Sequence, residues 1–208
     1  MSCYITNTPM HELEKDIREK YHAEDDINIL ITEKEIDALN RIVAGKLNDY
    51  YGPLTTRENP LYIIGLLTGC IQFMSDVSKY LTFDYTLHFL KVTSYHNQNQ
   101  TPIDFSSEFL TKFQDKEHVL FMDELIDTGY SIKAVHTFIP SAKVCVLMSK
   151  QYKAADFYGI QQIPNLWLVG YGMDDKSLRR GWPFVSYKGT PALEAQSFRE
   201  SILREIFK

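Results

Sequence analysis

One stretch limits the possible folds more than any other: His118–Ser131, which reads HVLFMDELIDTGYS. An apolar run, Val119 to Met122, ends in two acids, Asp123 and Glu124. Two apolar residues follow, then Asp127, Thr128, Gly129, Tyr130 and Ser131, and Ile132 to Phe138 carries helical patterning. The order is strand, acidic edge, small-residue loop, helix. In an open parallel sheet, ligands bind outside the carboxyl ends of the strands, so these acids stand where a ligand would be. A helix start offers unpaired amides with partial positive charge. Thr128, Gly129 and Ser131 add small size and two hydroxyls. Acids suited to hydroxyl groups and a cradle suited to an anion, a few residues apart, fit a sugar phosphate.

The rest of the chain repeats this grammar. Thr8-Pro9 is a helix-start signal, with a polar helix to about Tyr21. Thr32 and Glu35 form a capping box, after which Ile36, Leu39, Val43 and Leu47 recur at helical spacing. Both helices read as amphipathic packing elements. LYIIGLL, Leu61 to Leu67, is a buried-strand candidate broken by Thr68-Gly69-Cys70, and Met74, Val77 and Leu81 continue with a helical period. Tyr85 to Thr93 alternates like a half-buried strand. From His96 to Glu117 no strong apolar period appears, as in a lid or a surface loop. Pro140 closes the helix after the central motif. Further strands are expected at Lys143 to Met148, ending in Ser149-Lys150, and at Trp167 to Tyr171. A closing helix is expected over Pro191 to Phe207, with Leu193, Phe198, Ile202 and Ile206 on one side. Alternating strands and helices argue an α/β fold with an open parallel sheet. One domain over 1–208 is expected, with a core of about 30–187. The N-terminal helices and the segment after Lys150 would form a small hood.

The central motif resembles the phosphoribosyl-pyrophosphate (PRPP) motif of type I phosphoribosyltransferases: apolar strand, two acids, two apolar residues, Asp-Thr-Gly, one variable residue, Thr or Ser. With Lys150 and the string WLVGYGMDDKSLRRGW, which carries Trp167, Asp174 and Arg180 in order, the resemblance narrows to the hypoxanthine-guanine group. The stretches LTFDYTLHFLKVTSY and GYGMDDKSLRRGW look closest to the divergent guanine phosphoribosyltransferases of protists. The resemblance covers about Leu30 to Tyr187. It implies purine salvage in the cytoplasm, with PRPP and a 6-oxopurine giving GMP or IMP and pyrophosphate, Mg²⁺ as cofactor, and a homodimer or homotetramer.

Residue by residue, the resemblance implies the following roles. Asp123 and Glu124 take the ribose hydroxyls, directly or through Mg²⁺, and Asp174 is a further metal carboxylate in the purine pocket. Asp127, Thr128, Gly129, Tyr130 and Ser131 hold the 5′-phosphate, and Asp127 is also the catalytic group near purine N7. On the residues alone, Asp127 also reads as the cap of the helix after it, and the two roles can coexist. Leu67, Thr68 and Gly69, around an unusual peptide bond, bind pyrophosphate with Arg180. Lys150 donates to the purine 6-oxygen, Trp167 stacks on the base, and Leu168 and Met173 line the same pocket. Ser94 and Tyr95 open a mobile catalytic loop. The chain departs from the family pattern at Thr68 and Cys70, where Lys and Gly usually stand, and at Tyr130, where a cation is frequent.

Composition bounds the alternatives. A net charge of -5 argues against nucleic-acid binding through bulk electrostatics. The three cysteines, Cys3, Cys70 and Cys145, show no metal-ligand spacing and read as reduced thiols. No apolar run approaches a membrane span. Two competing readings stay open at this point. One is a regulator on the same fold that binds nucleotide or RNA without turnover, fed by the departures at Thr68, Cys70 and Tyr130. The other is a phosphoribosyltransferase for adenine or a pyrimidine, which Lys150 with Trp167 disfavours.

Overall fold

The computed structural model describes residues 10–24, 26–94, 103–190 and 193–206. In chain order the elements are α1 (Met10–Tyr21), β1 (Ile27–Ile31), α2 (Glu33–Tyr51), β2 (Leu61–Leu67), α3 (Ile71–Ser78), β3 (Tyr85–Lys91), β4 (Thr93–Ser94), β5 (Ile103–Asp104), α4 (Ser107–Thr111), β6 (Val119–Ile126), α5 (Tyr130–His136), β7 (Lys143–Ser149), β8 (Phe157–Gln161), β9 (Trp167–Val169), β10 (Val185–Lys188) and α6 (Leu193–Ile206). The chain divides into two compact units, Met1–Leu39 with Pro164–Lys208, and Asn40–Ile163.

The unit of residues 40–163 is built on a five-stranded parallel sheet in the order β3-β2-β6-β7-β8. Its inner strands are apolar almost throughout, because helices on a parallel sheet leave neither face to water. Leu61, Ile63 and Ile64 of β2, Leu120 and Phe121 of β6, and Val146 and Leu147 of β7 are each at most 1% exposed. The path of the chain decides where a ligand can enter. From β2 it crosses to β3 on one side, and β6 then returns to the other side of β2. Such a reversal of strand order opens a crevice at the carboxyl ends of the two strands concerned. The pairing shows the opening directly. β2 and β6 run together only as far as Gly65↔Met122, while β6 stays paired with β7 to Ile126↔Ser149.

In the other unit, β1, β10 and β9 form a three-stranded antiparallel sheet, with β10 in the middle. Ile27, Ile29, Val169, Trp182 and Phe184 form its core, against which Ile17 and Tyr21 of α1 pack. The capping box closes as expected: the Glu35 carboxylate accepts from the Thr32 amide at 2.7 Å, and the Glu35 amide donates to the Thr32 hydroxyl at 3.3 Å. Arg199 of α6 donates to Leu30 O at 2.6 Å and to Glu35 at 2.9 Å, which ties the C-terminal helix to β1.

Several expectations need correction. The central strand does not stop at Met122. It runs through both acids to Ile126, because β7 continues to pair with it. The segment after Lys150 was expected in the hood, yet β8 pairs in parallel with β7, so the separate unit resumes only at Pro164. Within 103–117 the chain makes β5 and α4, with Leu110 and Phe113 buried, rather than plain loop. Thr8 and Pro9 lie outside the described residues. No helix among the described residues is long and apolar enough to cross a membrane.

Candidate functional site

The parting strands carry the candidate residues of the parallel-sheet unit. After β2, the Leu67–Thr68 peptide is cis, at the position where the resemblance placed an unusual peptide bond. Thr68 is exposed and Gly69 is buried. A methyl group on Gly69 would lie 1.8 Å from Glu124 Oε1 and 2.3 Å from Oε2. The carboxylate thus occupies the volume where any other residue would place its side chain, so a larger residue here would have to displace the carboxylate. Glu124 is 8% exposed, and its Oε2 has no hydrogen-bond partner within the described structure. A buried carboxylate oxygen without a donor is costly and calls for a hydroxyl, a proton or a cation. Asp123 is half-buried and accepts from the Glu124 amide at 3.0 Å.

Cys70, where the resemblance has glycine, is fully buried, with Cys70 Sγ and Met74 Sδ both lying over Gly65. Burial first, then the charges of Asp123 and Glu124, push its thiol well above the usual range, so it packs as a small protonated hydrophobe. That departure leaves the amide-lined loop in place. The first turn of α3 follows at Ile71.

After β6, Asp127 and Thr128 are exposed, and Gly129 turns the chain at φ 77, a left-handed conformation that suits glycine. Gly129 is the N-cap of α5, and no side chain caps the helix. The reading of Asp127 as that cap is therefore set aside. Its carboxylate instead lies 3.0 Å from Lys150 Nζ, which comes from the end of β7. Backbone pairing holds the two together: Lys150 N donates to Ile126 O at 2.9 Å, and Gln151 Nε2 donates to Asp127 O at 3.2 Å. Ser149 fixes the turn by accepting from Gln151 N and donating to Gln151 O. Gln151 and Ser149 escaped the sequence reading, since nothing in their spacing announces a contact with residue 127. Tyr130 is 59% exposed and Ser131 half-buried.

The antiparallel unit carries the second group. Trp167 opens β9 and is 63% exposed, while Leu168 and Met173 are buried. β9 is an edge strand, so one of its backbone edges has no neighbour in the sheet. Past Val169 the chain makes a compact loop: Gly170 pairs with Met173, Asp175 with Leu178, and Gly172 N donates to Arg180 O at 2.9 Å. Arg180 donates to Gly172 O at 2.6 Å and to Asp174 at 2.5 Å, and the Ser177 amide donates to the other Asp174 oxygen at 2.7 Å. Asp174 and Arg180, expected from the sequence as a metal ligand and an anion ligand, therefore stand side by side.

Ser94, expected to open a catalytic loop, ends β4, which pairs with β5 over Thr93↔Asp104 and Ser94↔Ile103, and Tyr95 lies outside the described residues. No three His, Cys, Asp or Glu side chains come together as a metal cluster among the described residues. Asp123 and Glu124 in one unit and Asp174 in the other carry carboxylates, and carboxylate oxygen is what a hard cation takes. Cys70 and Cys145 are free and buried.

Comparison with known proteins points to one family. Residues 28–176 match the phosphoribosyl transferase domain family. A hypoxanthine-guanine phosphoribosyltransferase of Staphylococcus aureus is 27% identical over 169 residues, 76% of this chain and 90% of that protein. Among solved structures, the hypoxanthine phosphoribosyltransferase of Trypanosoma cruzi superposes with a TM-score of 0.64 at 25% identity, covering 78% of this chain and 97% of the other. The enzyme of Leishmania tarentolae, solved in complex with GMP, gives a TM-score of 0.67 at 19% identity over 81% of this chain and all of that one.

Proposed function

The chain belongs to the phosphoribosyl transferase domain family, and we propose that it is a purine-salvage enzyme that moves the 5-phosphoribosyl group from PRPP to guanine or hypoxanthine. The purine N9–C1 bond of the ribose forms, the bond from C1 to the pyrophosphate oxygen breaks, and the imidazole-ring proton of the base leaves. The observation that carries this reading is the Asp127–Lys150 pair at 3.0 Å. A 6-oxopurine presents an acceptor at O6 beside its N7. An ammonium donating to O6 and a carboxylate accepting the N7 proton fit that edge together. Adenine offers an amino group at the same place and would meet the lysine donor with a donor.

The other roles follow from what each group can do. The exposed indole of Trp167 is a stacking platform, worth roughly 1–3 kcal/mol to a base. Gly129, the Thr128 and Ser131 hydroxyls and the first amides of α5 would hold the 5′-phosphate. The family resemblance supports pyrophosphate binding by the amides of Leu67, Thr68 and Gly69, and separately by the guanidinium of Arg180. Asp123 and the unpartnered oxygen of Glu124 would accept from the ribose hydroxyls.

Mg²⁺ fits this donor set. It is satisfied by one or two carboxylates together with substrate oxygens and water, and needs no dedicated protein cage. Asp123 and Glu124 would hold one ion. Asp174 keeps lone pairs for another while bonded to Arg180 and Ser177. Bound there, the ion would neutralise charge developing on the departing pyrophosphate. Assembly as a homodimer or homotetramer and a cytoplasmic setting belong to the same proposal, supported by the family resemblance and the free thiols.

The test is pyrophosphate release with PRPP, Mg²⁺ and each base in turn. Guanine or hypoxanthine should support turnover, and adenine and uracil should not. Release with adenine alone would contradict the Lys150 assignment. Nucleotide binding without release for any base would favour a regulator.

A further inference from the structure

We propose that Arg179 is a positioning residue, held by Glu24 from the segment that precedes the family match, and that this brace sets the affinity of the Asp174–Arg180 loop for pyrophosphate and PRPP. The proposal rests on the reading of Arg180 as a pyrophosphate ligand. The family match begins at residue 28, so Glu24 and α1 lie before it. Arg179 is nonetheless tied into them. Its guanidinium is paired with Glu24, lies 3.5 Å from Asp175, and sits over the Trp182 ring at 5.0 Å. Tyr21, the last residue of α1, packs edge-on against Phe184 at 5.3 Å, and Phe184 stacks on Trp182.

Two facts make the tie consequential. First, Arg179 stands at φ 69 and its neighbours Lys176 and Ser177 at 52 and 69, a region that non-glycine residues enter only when their surroundings hold them there. What holds Arg179 is its side chain, 14% exposed, between two carboxylates and an indole. Second, the charges balance as a set. Glu24 and Asp175 face Arg179 and Lys188, with Lys188 Nζ at 3.0 Å from Asp175. Without Glu24, Arg179 would keep only Asp175, which it shares with Lys188, while Lys188 also has the charge of Asp26 nearby. The guanidinium of Arg179 holds the Glu24 carboxyl below the usual carboxylate range, in keeping with a pair that favours the charged form. The next residue in the chain is Arg180. Its backbone oxygen accepts from Gly172 and its side chain reaches Asp174 and Gly172, so its place depends on the peptide that Arg179 fixes.

The experiment uses the full chain with Glu24→Gln, which removes the charge and keeps the shape, and Glu24→Asp, which keeps the charge. Steady-state kinetics and amide hydrogen exchange are read on both. Glu24→Gln should raise the KM for PRPP by about 5-fold, the scale of one charge-assisted contact, while the KM for the base moves by less than about 2-fold. Exchange should quicken at Gly172, Ser177 and Leu178 and stay unchanged in β2, β6 and β7. Glu24→Asp should restore most of both effects. Unchanged exchange would overturn the brace, and faster exchange with an unchanged KM for PRPP would overturn its role in anion affinity. Should the wild type release no pyrophosphate with any base, the functional reading falls by itself. Calorimetric titration with magnesium pyrophosphate then decides the brace: weaker binding by Glu24→Gln supports it, and equal binding overturns it.

Discussion

The two units hold their candidate residues by the same means in different proportion: glycine turns and one ion pair, Asp127–Lys150, in the first, and glycine turns with several ion pairs and stacked rings in the second. In the parallel-sheet unit the loops work through what side chains leave out. Gly69 makes room for the Glu124 carboxylate, Gly129 turns at positive φ, and no side chain caps α5. In the antiparallel unit the loop from Gly170 to Trp182 is held by what side chains add: Asp174 to Arg180, Asp175 to Arg179 and Lys188, and stacked Trp182 and Phe184. Backbone amides at strand ends are rigid and need no charge to place them. The loop that leaves the edge strand β9 has backbone bonds of its own, Gly170 with Met173 and Gly172 with Arg180, and adds ion pairs and rings to them. Substitutions that add bulk should therefore hurt the first unit, and substitutions that remove charge or rings should hurt the second.

Gly69→Ala should give the largest effect. The added methyl cannot coexist with Glu124 Oε1 at 1.8 Å, so loop or carboxylate must move, and turnover should fall by about 10²-fold or more, as for a misplacement of this size. Turnover within a few fold of wild type would show that the loop yields without cost. Asp127→Asn comes next. Loss of the carboxylate should lower kcat by about 10²–10⁴-fold, the range for a general base, with PRPP binding largely kept. Full activity would remove Asp127 from the mechanism. Trp167→Ala should weaken purine binding by roughly 1–3 kcal/mol with little change for PRPP. Since Trp167 is 63% exposed, thermal stability should barely move, which separates stacking from packing.

The smallest effect is expected from acid. The Glu24 carboxyl is held below its usual 4.5, first by the hydrogen bond from Arg179. A carboxylate whose folded pKa is depressed adds stability that is full above the unfolded pKa and is lost as pH falls through the folded one. The pair is half-exposed, so the loss is slight. The gap between wild type and Glu24→Gln in thermal stability should be full above about pH 4.5 and should close as pH falls below it and through the lower folded pKa. A gap that persists at the lowest pH would mean that Glu24 acts through something other than its charge.

Much of this arrangement was legible in the sequence because it rests on local order. β2 spans the same Leu61 to Leu67 that the apolar run marks, the capping box closes on Thr32 and Glu35, and Lys150 stands at the end of its strand. What escaped depends on partners far along the chain. Ile27–Ile31 becomes a strand because Val185–Lys188 lies beside it, and both are too short to show a period of their own. Phe157–Gln161 is a sheet edge only by virtue of β7. The acids of β6 read as a strand end, since charge usually stops a buried strand, yet continued pairing with β7 carries the strand past them. The approach of Glu124 to Gly69 crosses from strand β6 to the loop after β2, and no spacing within either segment encodes it. Arg179 beside Arg180 is plain in the sequence. That one grips the loop's acid while the other reaches back to Glu24 is visible only in space.

The buried sulfur of Cys70 gives the phosphate-side loop a built-in clock. Thiolate attacks alkylating reagents, and this thiol is protonated and shut away, so its reaction requires the turn after β2 to open. The rate at which a maleimide or iodoacetamide captures that position is then a count of those openings.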